Sequence, residues 1–217
     1  MSQAVDQVVV RQATLYQRIG KPIVDELLAA VIAVLAAPIM AVAAAAVRVT
    51  MGSPVILRQR RVGLHGQEFT VFKFRTMLPD RRVSDVSYSG PDRRKVHKTP
   101  DDPRITPVGR FLRRTSIDEL PQLFNVLRSE MSLVGPRPEL PMIVAGYASW
   151  QHERHAVKPG LTGLWQLEAR DADELMHERT DIDVRYVATL SLATDVRLLL
   201  RTIPNVLGRG FSKRKTT

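Results

Sequence analysis

Side chains able to do chemistry are densest in Arg113-Arg114-Thr115-Ser116-Ile117-Asp118-Glu119-Leu120-Pro121, just ahead of a stretch with helical apolar spacing. Two readings fit them. In the structural one Ser116 caps a helix, Glu119 reaches back three residues, and both acids sit at the positive end of the helix dipole. Pro121 conflicts with that register, because its missing N–H would fall beyond the first turn; a helix starting near Asp118 removes the conflict. In the chemical reading the free N–H groups of a helix start receive a phosphate, and the carboxylate of Asp118 attacks phosphorus. An anion attacking an anion needs cations around the transition state. Arg113 and Arg114 lie just upstream, and Glu119 is a hard oxygen ligand suited to Mg²⁺.

A second candidate is Val134-Gly135-Pro136-Arg137-Pro138-Glu139, where Pro136 and Pro138 stiffen the backbone on both sides of Arg137. That stiffness suits a guanidinium meeting a phosphate in fixed geometry, although the same residues also describe an ordinary Pro-rich turn. In Phe69 to Arg75, FTVFKFR, alternation sends Phe72 and Phe74 one way and Lys73 and Arg75 the other. Lys73 and Arg75 then line either a solvated face or an anion-binding wall. Lys158 to Gln166, KPGLTGLWQ, reads by itself only as a loop. His152 and His155 lie three apart on an expected helix, but no third ligand follows at metal-site spacing, so they read as surface or interfacial histidines.

Positioning these groups falls to a few elements. Val55–Val62 and Glu68–Arg75 read as two strands joined by Gly63-Leu64-His65-Gly66. Leu120, Leu123, Phe124, Leu127 and Met131 predict a helix with one buried stripe. Further helices are expected over Leu140–His155 and over Ile182–Leu207, the latter interrupted near Ala193-Thr194 and bent or ended by Pro204. Residues 79–107, rich in Pro, Asp, Arg and Ser, read as a long loop of the kind recruited as lids. Residues 1–20 form a polar leader, 51–208 the main domain and 209–217 a basic tail.

Between Leu27 and Val47 there is no charged residue, and as a straight helix the segment is long enough to cross a bilayer. Pro38 near its midpoint and positive charge on both flanks (Arg11, Arg18 and Lys21 before; Arg48, Arg58, Arg60 and Arg61 after) argue equally for a helix over residues 21–50 that breaks at Pro38 and returns to the same side. The polar leader disfavours a cleaved signal peptide. Cysteine is absent from the sequence, which excludes disulfides and thiolate metal sites. A net charge of +10 calls for anionic company such as phospholipid headgroups, phosphorylated metabolites or nucleic acid. A nucleic-acid or membrane-surface binding module without turnover is the competing class, but it leaves the apolar segment unexplained, and the sequence lacks the basic-aromatic interleaving of single-strand binders.

Taken in order, KPIVDELLAA, the Pro-interrupted apolar segment, SPVILRQRRVG, FTVFKFRTM, DDPRITPVGRFLRRTSIDELPQLFNVLRSEMSLVGPRPE and VKPGLTGLWQ resemble the bacterial sugar transferases, the monotopic polyprenyl-phosphate phosphoglycosyl transferases, over about residues 18 to 208. The resemblance implies an α+β, mostly helical fold with a re-entrant membrane helix broken at Pro38, a small β-hairpin, and amphipathic helices on the membrane surface around a catalytic core. The family's Ser-Pro break is Ala37-Pro38 here. It further implies catalysis on the cytoplasmic face of the bacterial inner membrane, with UDP-sugar and undecaprenyl or another polyprenyl phosphate as partners, Mg²⁺ as cofactor and no nucleic acid. By the same resemblance Asp118 is the nucleophile that holds the sugar phosphate, Asp118 and Glu119 bind Mg²⁺, and Arg113 and Arg137 within Pro136-Arg137-Pro138 bind phosphate and nucleotide, with Lys73 and Arg75 as weaker candidates. The product would initiate a polysaccharide or glycoconjugate. The transferred sugar and the oligomeric state stay open.

Overall fold

A computed structural model describes residues 14–78, 102, 104–169 and 176–211, with side chains described as far as residue 205. Most of the expected loop over 79–107, including His97, lies outside them, as do residues 1–13 of the expected leader and the last residues of the basic tail.

A π-helical turn, Tyr16–Gly20, leads directly into α1, Lys21–Met51. Helical structure thus begins inside the expected leader. At ~1.5 Å rise per residue the 31 residues of α1 extend roughly 46 Å. The helix is assigned without interruption across Pro38. It is the one element, among the described residues, long and apolar enough to cross a membrane. Its inward residues, Lys21, Asp25, Ala29, Ala36, Ala43, Val47 and Met51, fall on a single stripe, while Leu27, Val31, Val34, Leu35, Ile39 and Val42 are exposed. Small side chains on the stripe let the rest of the chain approach closely along it.

The hairpin forms nearly as expected: β1 (Ile56–Val62) pairs antiparallel with β2 (Glu68–Phe74), Leu57 opposite Lys73. Its turn is a short 3-10 segment, Leu64–Gly66. Helix α2 (Pro107–Thr115) starts at Pro107, with the Thr106 side chain accepting from the Gly109 N–H. Gly109 packs so closely on β2's continuation that a Cβ would stand 1.9 Å from the Thr76 carbonyl oxygen. A 3-10 turn, Ile117–Gln122, then runs into α3 (Leu123–Leu127).

That 3-10 turn corrects the expected apolar stripe. With three residues per turn up to Gln122, α-helical register begins only at Leu123, which rotates Val126 and Asn125 inward. Leu123 and Met131 are buried as expected, but Phe124 and Leu127 face outward, 50% and 39% exposed.

Strand β3 (Ser132–Val134) pairs in parallel with β4 (Gly160–Thr162), so KPGLTG is no simple loop. Gly160 is needed there, since its Cβ would fall 2.0 Å from the Gly135 nitrogen. Between these strands the single expected helix is two pieces, α4 (Pro141–Val144) and a 3-10 segment, Ser149–Ala156, separated around Gly146. After α5 (Leu164–Glu168), helices α6 (Thr180–Thr189) and α7 (Leu192–Phe211) are divided at Leu190-Ser191, slightly before the expected interruption. Pro204 does not end α7, which also takes in the first residues of the expected tail.

One core gathers Ala29, Val71, Leu123, Val126, Leu133, Tyr186 and Leu198; a second gathers Ala43, Val47, Met51, Phe74 and Leu112. Both contain residues of α1. At its N-terminal end the helix is also tied by polar groups: Lys21 Nζ donates to Asp195 Oδ2 at 2.7 Å, Tyr16 and Tyr186 donate to the same carboxylate, and Ser132 Oγ donates to Asp25 Oδ2 at 2.6 Å.

Candidate active site

Ser116 takes a left-handed conformation, φ 58°, and closes α2 with its N–H directed at the Arg113 carbonyl. The chain reverses there, carrying Asp118 and Glu119 back over β2. The capping box does not form. Ser116 makes no side-chain cap bond because an N-cap needs extended backbone angles. Glu119 Oε1 instead accepts from Lys73 Nζ at 3.0 Å and from the Arg137 guanidinium at 2.8 Å. These side chains are 12%, 16% and 25% exposed, so the triad is largely withdrawn from water but still open on one side. Lys73 therefore belongs to an anion-facing wall, not to a solvated face.

Asp118 is half-buried beside this triad. Burial, then the neighbouring charge of Glu119, pushes its carboxyl up to about 6, against the pull of Lys73, Arg113 and Arg137. Burial lowers the Lys73 ammonium, opposed by Glu119, and the Glu119 charge raises the Arg137 guanidinium. Three cations thus surround two acids of unlike character: one carboxylate neutralised by direct ion pairs, the other close to titration at neutral pH.

Arg113 is exposed on α2, its Nε donating to Thr76 Oγ1 at 2.8 Å while its charge reaches Asp118. Arg75 does not join the group. Its buried guanidinium donates to the carbonyls of Met51, Gly52 and Ser53, closing the C-terminal end of α1. Arg75 is held instead by these three carbonyls, one residue beyond the end of β2.

Between Pro136 and Glu139 all four carbonyls are held. Gly160 N–H donates to Pro136, Arg154 to Arg137 at 2.6 Å, Arg61 to Pro138 at 3.3 Å, and Val62 N–H to Glu139. The prolines alone therefore do not fix Arg137. The sequence reading missed Arg61, Arg154 and Asp183, which are indistinguishable from surface charge in a chain this basic. It also missed Asn125, fully buried, whose amide donates to the Thr70 carbonyl and whose oxygen accepts from the Phe72 N–H. His155 is buried and stacked on Tyr147 rather than superficial, while His152 is exposed.

Among the described residues no cluster of three or more His, Cys, Asp or Glu side chains could cage a metal. Asp118 and Glu119 are nevertheless a fitting donor set for Mg²⁺, which commonly takes one or two carboxylates and completes its shell with water and substrate phosphate.

Residues 16–209 match the family described as "Bacterial sugar transferase". The chain is 44% identical over 163 residues to "Uncharacterized sugar transferase EpsL" of Bacillus subtilis, covering 75% of each. It is 40% identical over 194 residues to the "UDP-glucose:undecaprenyl-phosphate glucose-1-phosphate transferase" of Caulobacter vibrioides, covering 86% of this chain and 69% of that one. It is 42% identical over 164 residues to the "Undecaprenyl-phosphate galactose phosphotransferase" of Salmonella typhimurium, a longer protein of which the match covers 34%, against 73% of this chain. With residues 16–209 matched by the family and relatives 40–44% identical over three quarters or more of its length, the chain belongs to the bacterial sugar transferase family and is a transferase.

Proposed function

We propose that the protein transfers a sugar 1-phosphate from a UDP-sugar to undecaprenyl or another polyprenyl phosphate, at the cytoplasmic face of the bacterial inner membrane, through a covalent intermediate on Asp118. The observation that carries this reading is the placement of Asp118 beside an ion-paired Glu119 and within reach of three cations, on a domain packed along a membrane-length apolar helix. Relatives named for UDP-glucose and for galactose phosphate transfer support the reaction class and leave the sugar open.

In the first step a carboxylate oxygen of Asp118 attacks the β-phosphorus of the UDP-sugar. The bond from that phosphorus to the bridging oxygen breaks, UMP departs with the oxygen, and the sugar phosphate remains as an acyl phosphate. Lys73, Arg113 and Arg137 neutralise charge building on the phosphoryl oxygens. Asp118 and Glu119 would hold Mg²⁺, which when bound supplies further positive charge at the diphosphate. In the second step an oxygen of the polyprenyl phosphate attacks the same phosphorus, the acyl–phosphate bond breaks, and Asp118 is regenerated. Two substrates of opposite solubility can then use one carboxylate in turn.

Both ends of α1 pack on the same domain, its N-terminal third through Lys21, Asp25 and Ala29 and its C-terminal third through Val47 and Met51. A full perpendicular crossing would draw that domain into the bilayer, which supports a helix with both ends on the cytoplasmic side; since α1 is helical without interruption, its return requires a bend at Pro38 and not a break.

Purified protein given Mg²⁺ and single UDP-sugars is expected to release UMP with one preferred donor and to show ping-pong kinetics with polyprenyl phosphate. Asp118→Asn is expected to abolish UMP release; a fully active variant would eliminate the covalent path.

A further inference from the structure

The backbone of Arg137 is held from behind by a buried ion pair that takes no part in the chemistry above. Arg154 and Asp183 are each 1% exposed and meet at 2.5 Å. The Arg154 nitrogen that contacts Asp183 also donates to the Arg137 carbonyl, and its other terminal nitrogen donates to the Tyr147 hydroxyl at 2.8 Å. Arg154 thus joins α6, the 3-10 segment Ser149–Ala156 and the Pro136-Arg137-Pro138 strip at one point. Its reach ends at a carbonyl whose own residue sends a guanidinium the other way, onto Glu119.

We propose that Arg154, oriented by Asp183, is a positioning residue for Arg137: it fixes the height of the Arg137 backbone, and so the reach of its guanidinium to Glu119 and to the substrate phosphates. This rests on the role given to Arg137 under the proposed function. A lysine at 154 would keep a cation against Asp183 but, as a single point donor without a planar fork, would not hold carboxylate, carbonyl and hydroxyl together. Burying two charges contributes little net stability, so a well-packed apolar pair is expected to serve the fold nearly as well. That separates folding from positioning.

The test is a set of variants of the full chain assayed for UMP release and for melting temperature. Arg154→Met alone strands Asp183 and is expected to melt lower, whereas Arg154→Met with Asp183→Leu is expected to recover most of that loss and remain about tenfold or more slower than wild type. Arg154→Lys is expected to slow release by a similar factor. Arg137→Met is expected to cost on the order of 100-fold, and adding Arg154→Lys to it less than about twofold more, because the second residue acts only through the first. Multiplying effects, or full activity of the Arg154→Met, Asp183→Leu chain, would overturn the positioning role while leaving the transferase reading intact. A wild type that releases no UMP from any donor fails the transferase reading itself, and an indifferent Arg137→Met removes the role on which the proposal rests.

Discussion

Two adjacent acids end up in opposite electrical situations. Glu119 accepts from a lysine and an arginine, while Asp118 receives their field without a direct bond from either and lies against protein, lifted to about 6. The fold therefore binds a proton at Asp118 more tightly than the unfolded chain does, whose aspartates titrate near ~3.9. The sign follows: this group's contribution to stability falls as pH rises from roughly 4 to 6, and above that range its ionised form is a net cost to folding. Asp118→Asn is accordingly expected to melt roughly 2–5 °C higher at pH 7.5, the gap closing below about pH 4 in scanning calorimetry without divalent ions. UMP release in the wild type needs the carboxylate, so its rate is expected to fall on acidification, and Mg²⁺ held beside the carboxylate is expected to move that fall below the metal-free titration range. A rate that rises on acidification would remove Asp118 as the nucleophile. The acids and Arg137 were legible in the sequence because their neighbours are unusual. Arg154 and Asn125 were not, since what defines each is a partner far along the chain.

At the scale of elements, the hairpin carries Lys73 to the site, and α3 secures the hairpin. Among the described residues, strand β2 has β1 on one side and no strand on the other. On its other edge Asn125 does the work of a neighbouring strand, pairing with the Thr70 carbonyl and the Phe72 N–H. Asn125→Ala would leave a buried carbonyl and amide without these bonds, and is expected to destabilise by ~2–3 kcal/mol in urea unfolding. If it also frees β2 to shift, UMP release should fall in the variant that remains folded; unchanged stability would show that the edge is held by other means. The hairpin was readable from alternation and a Gly-flanked turn. The α3 region was misread for a definite reason: apolar spacing reports a period, and a proline at position 121 held the first six residues in 3-10 geometry, changing the face the following residues present. Short strands such as β3 and β4, three residues each, carry too little pattern to be seen before their pairing is known.

For the whole molecule, the decisive relation is between α1 and everything else. Composition alone left a spanning and a re-entrant segment nearly level; the packed stripe along the helix is what the sequence could not display, because alanines suit either case. The absence of cysteine makes the topology directly measurable. Leu15→Cys and Thr50→Cys, both at exposed positions near the two ends, are each expected to react with a membrane-impermeant maleimide from the cytoplasmic side of sealed vesicles. Labelling from opposite sides would establish a crossing. The carboxylate of Asp195 has a further consequence for how this protein comes to exist. It meets Lys21 across 174 positions of sequence, so when α1 leaves the ribosome the counterpart of its buried lysine has not yet been synthesised. During that interval Asp25, one helical turn along and 3.5 Å away in the finished fold, can serve Lys21 as a counter-charge. The Lys21–Asp195 pair therefore closes only once α7 has been translated, which makes it a late contact in the maturation of the newborn chain.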